Sequence, residues 1–248
     1  MIEFYKPIQT ISLGFFNVYT WGLMVALGFL LVLYLAAKNS KRKDKQVIYN
    51  LGFYALLGTI IGGRAAFIFV NWDFYSIHLA DILKLWEGGM MFYGGFLLAI
   101  VFMTIYAQIK KIDFLYYADI LVTYLGLGIF LSRIGCLLNG CCFGLETSLP
   151  WAMRFPMAPD MAPRHPTQMY MALAGLILFF ILYYSKNLFK GFKFYLFLAL
   201  YSFFQFFIEF FRYYETASYY IFAFTLSQWI SVGIFMISMY LILRKVIK

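Results

Sequence analysis

The chain has 248 residues, of which 64% are hydrophobic and only 12% charged, and its mean hydropathy is +0.79. That composition lies outside the range of soluble globular domains and identifies an integral membrane protein. The formal charge of +9 does not point to nucleic acid, because the basic residues fall between apolar segments and not along one solvated face.

The opening Met1-Ile2-Glu3-Phe4-Tyr5-Lys6-Pro7 lacks the basic start and small-residue cleavage site of a signal peptide, so the first span is expected to remain as an anchor. A helix needs about 20 mainly apolar residues to cross the hydrocarbon. Seven such stretches are predicted, over about 18–37, 47–70, 89–109, 114–131, 168–185, 192–211 and 225–243. The connection 38–46 carries a dense basic cluster, and Lys110-Lys111, then Lys186, Lys190 and Lys193, then Arg244, Lys245 and Lys248 mark alternate loops. By the positive-inside rule these loops are cytoplasmic, which places the N-terminus outside and the C-terminus in the cytoplasm. The expected fold class is therefore an all-α polytopic membrane protein, with one membrane domain over residues 1–248 and no internal repeat. Thirty Phe and 21 Tyr suit lipid-facing surfaces and headgroup belts.

Five of the seven arginines, Arg64, Arg133, Arg154, Arg164 and Arg212, fall on the outer side of this topology, against its bias. Either each one snorkels or pairs with an acid such as Asp73, Glu146 or Glu209, or together they converge on an anionic group at the outer interface, such as a lipid phosphate. The guanidinium fork is matched to phosphate oxygens. Gly62-Gly63-Arg64 interrupts the second span, and Gly88-Gly89-Met90-Met91-Phe92-Tyr93-Gly94-Gly95 opens the third. For Gly94 and Gly95, exposure of N–H groups to an anion and tight helix packing are equal readings.

The longest polar connection, residues 132–167, holds five of the six prolines and is expected to carry function. It begins Ser132-Arg133-Ile134-Gly135-Cys136-Leu137-Leu138-Asn139-Gly140-Cys141-Cys142-Phe143-Gly144, which is poor material for a lipid-facing helix. An arginine there costs roughly 3 kcal/mol on insertion scales unless something compensates it. The three cysteines read first as small apolar packing groups. Their spacing, with or without His165, matches no common zinc pattern, so no metal is expected. His165, between prolines, reads as part of a rigid turn, and His78 as a surface residue.

Taken together, Gly-Gly-Arg at 62–64, the glycine-rich stretch at 88–95, Ser-Arg-Ile-Gly at 132–135 with Asn139-Gly140 and Gly144, Pro163-Arg164-His165-Pro166-Thr167-Gln168-Met169-Tyr170, and Glu209-Phe210-Phe211-Arg212 resemble prolipoprotein diacylglyceryl transferases. The pieces occur in that family's order, from Trp21-Gly22-Leu23-Met24 to the last span. The resemblance implies a multi-pass enzyme of the bacterial cytoplasmic membrane. It would move the diacylglyceryl group of phosphatidylglycerol onto the lipobox cysteine of a preprolipoprotein and release glycerol phosphate.

It also implies roles. Arg133 matches the family's phosphatidylglycerol-binding arginine and Arg212 the arginine acting at the phosphate. Arg64, Arg164, Asn139, Gly144, Gly94, Gly95 and Glu209 would complete the lipid site. No cofactor is implied, and no oligomeric state is specified. The chain departs from the family where a histidine is usual and Tyr93 stands, and where asparagine and glutamate are usual and Cys136 and Cys141 stand. A phenol with a pKa near 10 is a poor base at neutral pH, so Tyr93 is expected to act as a catalytic hydrogen-bond donor that orients the phosphate or polarises the thiol, which leaves Glu209, His165, a lipid phosphate oxygen or bulk base as proton acceptor. The competing readings are a paralogue that binds phospholipid without catalysis, an anion transporter, and a thiol-redox protein bridging Cys136 to Cys141 or Cys142. A transporter would show matched broken spans in repeated halves, which the sequence lacks.

Overall fold

The computed structural model describes residues 7–12, 17–84, 89–214 and 220–247. The apolar runs fold as helices α1 (Thr20–Lys38), α2 (Lys45–Val70), α4 (Phe92–Ile109), α5 (Phe114–Asn139), α6 (Thr167–Tyr184), α7 (Phe192–Glu209) and α8 (Leu226–Val246), with a single turn, α3 (Trp72–Tyr75), after α2. Six of them are long and apolar enough to cross a membrane. The seventh expected span, α4, supplies a shorter apolar stretch, Gly94–Ile109. Large apolar side chains point outward along these helices, as with Phe69 at 82% and Met236 at 66% exposure. That inversion of a soluble protein suits a lipid solvent, where the backbone polar groups are satisfied inside each helix.

Local chemistry sets the ends. Gly140 and Gly191 take positive φ, +76° and +89°, after α5 and before α7, where a side chain would be strained. Thr225 and Gln228 close a reciprocal capping box at the start of α8.

The chain divides into two compact units, residues 37–117 and residues 1–36 with 118–248. In the first of these, α2 and α4 approach backbone to backbone. A Cβ added to Gly62 would sit 2.3 Å from the Gly94 carbonyl oxygen, and one added to Gly94 would sit 2.3 Å from Ala66 Cβ and 2.4 Å from the Gly62 carbonyl oxygen. Gly94 and Gly95 therefore serve close packing here. Gly94→Val should lower thermal stability in detergent by about 1–3 kcal/mol, the usual cost of overpacking, and differential scanning fluorimetry reads the shift. Asp44, 3% exposed, accepts from the Tyr116 and Tyr117 hydroxyls, both at 3.0 Å.

In the larger unit, α5 and α6 cross where Gly126 and Gly175 face each other's carbonyl oxygens. The core there gathers Val122, Leu178, Leu182 and Phe197. Asp119 in α5 accepts the Gly191 and Phe194 amides at 2.7 and 2.9 Å and so caps the start of α7. Three two-stranded ribbons, β1–β2 (Thr10–Ser12 with Asn17–Tyr19), β3–β4 (Met153–Arg154 with Pro163–Arg164) and β5–β6 (Tyr220–Ile221 with Phe224–Thr225), complete it.

Candidate functional site

A small recess in the larger unit lies among the end of α5, the start of α6 and the last turns of α7. Arg133, Cys142, Thr167, Gln168, Gln205 and Arg212 form its polar walls, over an apolar floor of Met171 and Ile208. Gly140 turns the chain out of α5, and Cys142 then adopts φ +64°, a conformation that costs a non-glycine residue about 1–3 kcal/mol. The start of α6 holds it there. Thr167 Oγ1 donates to the Cys142 carbonyl and Gln168 Nε2 to the Cys141 carbonyl, each at 2.6 Å.

Beyond Cys142 the chain pairs on both sides. Gly144 N donates to the His165 carbonyl at 2.8 Å, His165 N to Leu145, Leu145 N to the Phe211 carbonyl and Tyr213 N to Phe143. Gly144 thereby bridges to Arg212, and Glu146 to Arg164. This irregular ladder sews the loop after α5 to the segment after α7 and fixes the backbone of Arg212 beside the recess. Gly144 has no room for a side chain, since a Cβ would meet the Phe211 carbonyl oxygen at 2.3 Å and His165 Cβ at 2.7 Å.

The electrostatics of the recess are one-sided. Arg133 is half-buried and makes no hydrogen bond or carboxylate pair among the described residues. Arg212 has one acid nearby, Glu209 at 3.8 Å, but Glu209 is 2% exposed and already accepts from Gln205 at 2.9 Å, Thr225 at 3.3 Å and the Tyr214 hydroxyl. Glu209 is thus a buried anchor that sets where Arg212 sits. Two guanidiniums facing one cavity, with a single carboxylate behind them, make a site for an anion. Gln168 adds a further signal. Its side chain is 1% exposed and lines the recess, yet its Oε1 finds no donor among the described residues. A buried acceptor without a partner costs about 1–3 kcal/mol, so the site is built to receive a donor.

The other predicted residues have partners of their own. Arg64 lies in the smaller unit, 5% exposed, and gives its donors to the main-chain carbonyls of Ile82, Asp81, Lys84 and Gly89, with Tyr75 beneath its guanidinium. Arg164 is 2% exposed, grips both carboxylate oxygens of Asp160 at 2.9 Å and lies against the rings of Tyr213 and Phe143. Its charge holds the Asp160 carboxyl below the usual range. Both arginines therefore do structural work here. Arg154 donates to the Met161 carbonyl.

His165 contacts the Tyr170 hydroxyl through Nδ1 at 3.0 Å and packs on Phe211. Burial lowers its pKa, which keeps the ring neutral at pH 7, but it is not among the residues walling the recess. Asn139 ends α5 beside Cys141. The side chain of Tyr93 and the residue Gly88 lie outside the described residues. Sequence reasoning missed Thr167, Gln168 and Gln205 as site residues. Their signal was present, since an amide inside a run of apolar helix needs a reason to be there.

A family model described as prolipoprotein diacylglyceryl transferase matches residues 8–244. The chain is 36% identical over 226 residues to the phosphatidylglycerol–prolipoprotein diacylglyceryl transferase of Bordetella avium, covering 86% of this chain and 84% of that protein. It is 38% identical over 210 residues to the enzyme of that name from Aeromonas salmonicida, covering 81% and 76%. The Mannheimia succiniciproducens enzyme is 36% identical over 209 residues, covering 81% and 78%.

Proposed function

We propose that this chain, which belongs to the prolipoprotein diacylglyceryl transferase family, moves the diacylglyceryl group of phosphatidylglycerol onto the lipobox cysteine of a preprolipoprotein, in the bacterial cytoplasmic membrane. The observation that supports this most directly is the pair Arg133 and Arg212 in one recess with no carboxylate against Arg133. The thiol gives its proton to bulk base, its sulfur attacks the terminal glyceryl carbon, a carbon–sulfur bond forms, and the carbon–oxygen bond to phosphate breaks. Its electron pair leaves on the phosphate oxygen of glycerol phosphate. The diester carries one negative charge and the departing monoester gains a second, so paired guanidiniums stabilise the transition state more than the bound lipid. Gln168 Oε1 suits a hydroxyl of the glycerol headgroup. Glu209 and the ladder through Gly144 keep Arg212 in place. The topology that accompanies this reading has the N-terminus outside and the C-terminus in the cytoplasm, with the recess at the outer interface.

The test is transfer of labelled diacylglyceryl from phosphatidylglycerol to a lipobox peptide by the detergent-purified protein. The parent should transfer, and Tyr93→Phe should slow transfer about 5-fold, the effect of losing one hydrogen bond of about 1 kcal/mol. Absence of transfer by the folded parent, over several lipids and peptides, would replace this reading with a phospholipid-binding paralogue.

A further inference from the structure

We infer that Cys136, Cys141 and Cys142 form a three-thiolate site for one soft divalent cation of the zinc type, whose remaining position takes the thiol of the substrate cysteine. The inference rests on the transferase reading for its second half only. Its first half rests on the cysteines alone.

The three Sγ atoms lie within 4.8 Å of one another, and no disulfide joins them. A zinc–sulfur bond of about 2.3 Å puts tetrahedral thiolates roughly 3.8 Å apart. Cys141 and Cys142 already stand at 3.8 Å. Closing the rest requires a shift of about an ångström, with distances otherwise set by the zinc–sulfur bond. The backbone is organised for this. The left-handed turn at Gly140 brings Cys141 back over the last turn of α5, where its amide donates to the Cys136 carbonyl at 3.2 Å, Cys142 follows in a left-handed conformation of its own, and Thr167 and Gln168 hold the Cys142 and Cys141 carbonyls.

Two further observations point to a bound cation with an open position. Among the described residues, no histidine, aspartate or glutamate joins the three cysteines as a fourth ligand. Three protein ligands and one exchangeable position is the pattern of catalytic zinc, whereas structural sites close all four. Cys142 is also a wall of the recess that holds Arg133 and Arg212. Three thiolates around a dication leave one net negative charge, which the adjacent guanidiniums balance.

The arrangement supplies what the recess lacks. No carboxylate or imidazole is among its walls, so a thiol entering it meets no strong base. A thiol that coordinates a metal is deprotonated outright. The substrate cysteine would lose its proton to water on binding. Its sulfur would then attack the glyceryl carbon, and the carbon–oxygen electron pair would depart with the phosphate. Nucleophile and leaving group stand on opposite sides of one carbon, with the sulfur about 3–3.5 Å from it before attack. The thiol site and the phosphate-holding arginines must therefore share one small cavity, as Cys142, Arg133 and Arg212 do.

The test is metal analysis of the full-length protein, purified in detergent without chelator. We expect about one zinc per chain, the stoichiometry of a mononuclear site, falling at least 10-fold in Cys136→Ser, Cys141→Ser and Cys142→Ser. Cobalt substitution gives a second readout, thiolate-to-metal charge-transfer absorption that shifts when a lipobox peptide is added. Should a serine variant fail to elute as a single species, the cobalt spectrum of the parent carries the test. Monodisperse parent protein that takes up neither zinc nor cobalt overturns the inference, as does metal retained in the triple serine variant. Transfer that survives complete removal of the metal overturns its role while leaving the transferase reading intact. Cobalt bound through the cysteines and moved by peptide, without any transfer, keeps the site and overturns the transferase reading.

Discussion

Arg133→Ala is expected to lower diacylglyceryl transfer by about 100- to 1,000-fold, the cost of removing one preorganised donor from a developing anion. Thermal stability in detergent should change by less than about 1 kcal/mol. The two halves of this expectation come from the same observation. Arg133 makes no ion pair or hydrogen bond among the described residues, so its removal orphans no buried carboxylate. Arg164 is the opposite case, because its loss leaves Asp160 and Glu146 facing each other without their cation. Arg133→Lys should recover only part of the activity, since an ammonium keeps the charge and forfeits the bidentate fork. The checking measurement is the initial rate of transfer against lipid concentration, read beside a melting curve. A variant with parent-like rates would remove Arg133 from the phosphate site.

Gly144→Ala should be among the most damaging single methyl additions in the larger unit, and the one that bears on Arg212. The added Cβ would lie 2.3 Å from the Phe211 carbonyl oxygen and 2.9 Å from that of His165. Neither oxygen belongs to a flexible side chain, and both accept ladder hydrogen bonds, from Leu145 N and Gly144 N. The strand carrying Arg212 must move outward or the ladder must open. Overpacking of a tight backbone contact costs about 1–3 kcal/mol and sometimes more. Displacing Arg212 by an ångström costs on the order of 100-fold in rate. Transfer and melting temperature should therefore fall together, unlike in Arg133→Ala. Retention of both would show that the ladder does not position Arg212.

The helices were legible because crossing a bilayer demands about 20 apolar residues and little else can satisfy that. The recess was legible in part. Sequence marks an arginine as costly in a span but not what will face it, and the five candidates part ways on that point. Arg64 meets a ring of carbonyls, Arg164 meets Asp160, and Arg133 and Arg212 line one recess. For Gly94 and Gly95 the two readings were equal by composition, and the structure adds a close backbone approach to Gly62 and Thr59. The cysteines show the same limit. A Cys-x4-Cys-Cys spacing matches no familiar ligand pattern, and it is the fold, turning back at Gly140 after α5, that brings the three sulfurs together.

Asp119 sets an order for assembly. Its two amide donors belong to Gly191 and Phe194, and Gly191 follows it by 72 residues. At a synthesis rate of about 5–20 residues per second, roughly 4–15 s pass between the emergence of the acid and of its partners. During that interval the carboxylate of α5 has neither donor, and sinking it into hydrocarbon would cost roughly 3 kcal/mol on insertion scales. The first turns of α5 must therefore stay at a wetted surface until α7 begins, and the final seating of α5 is a late, post-insertion event coupled to the arrival of α7.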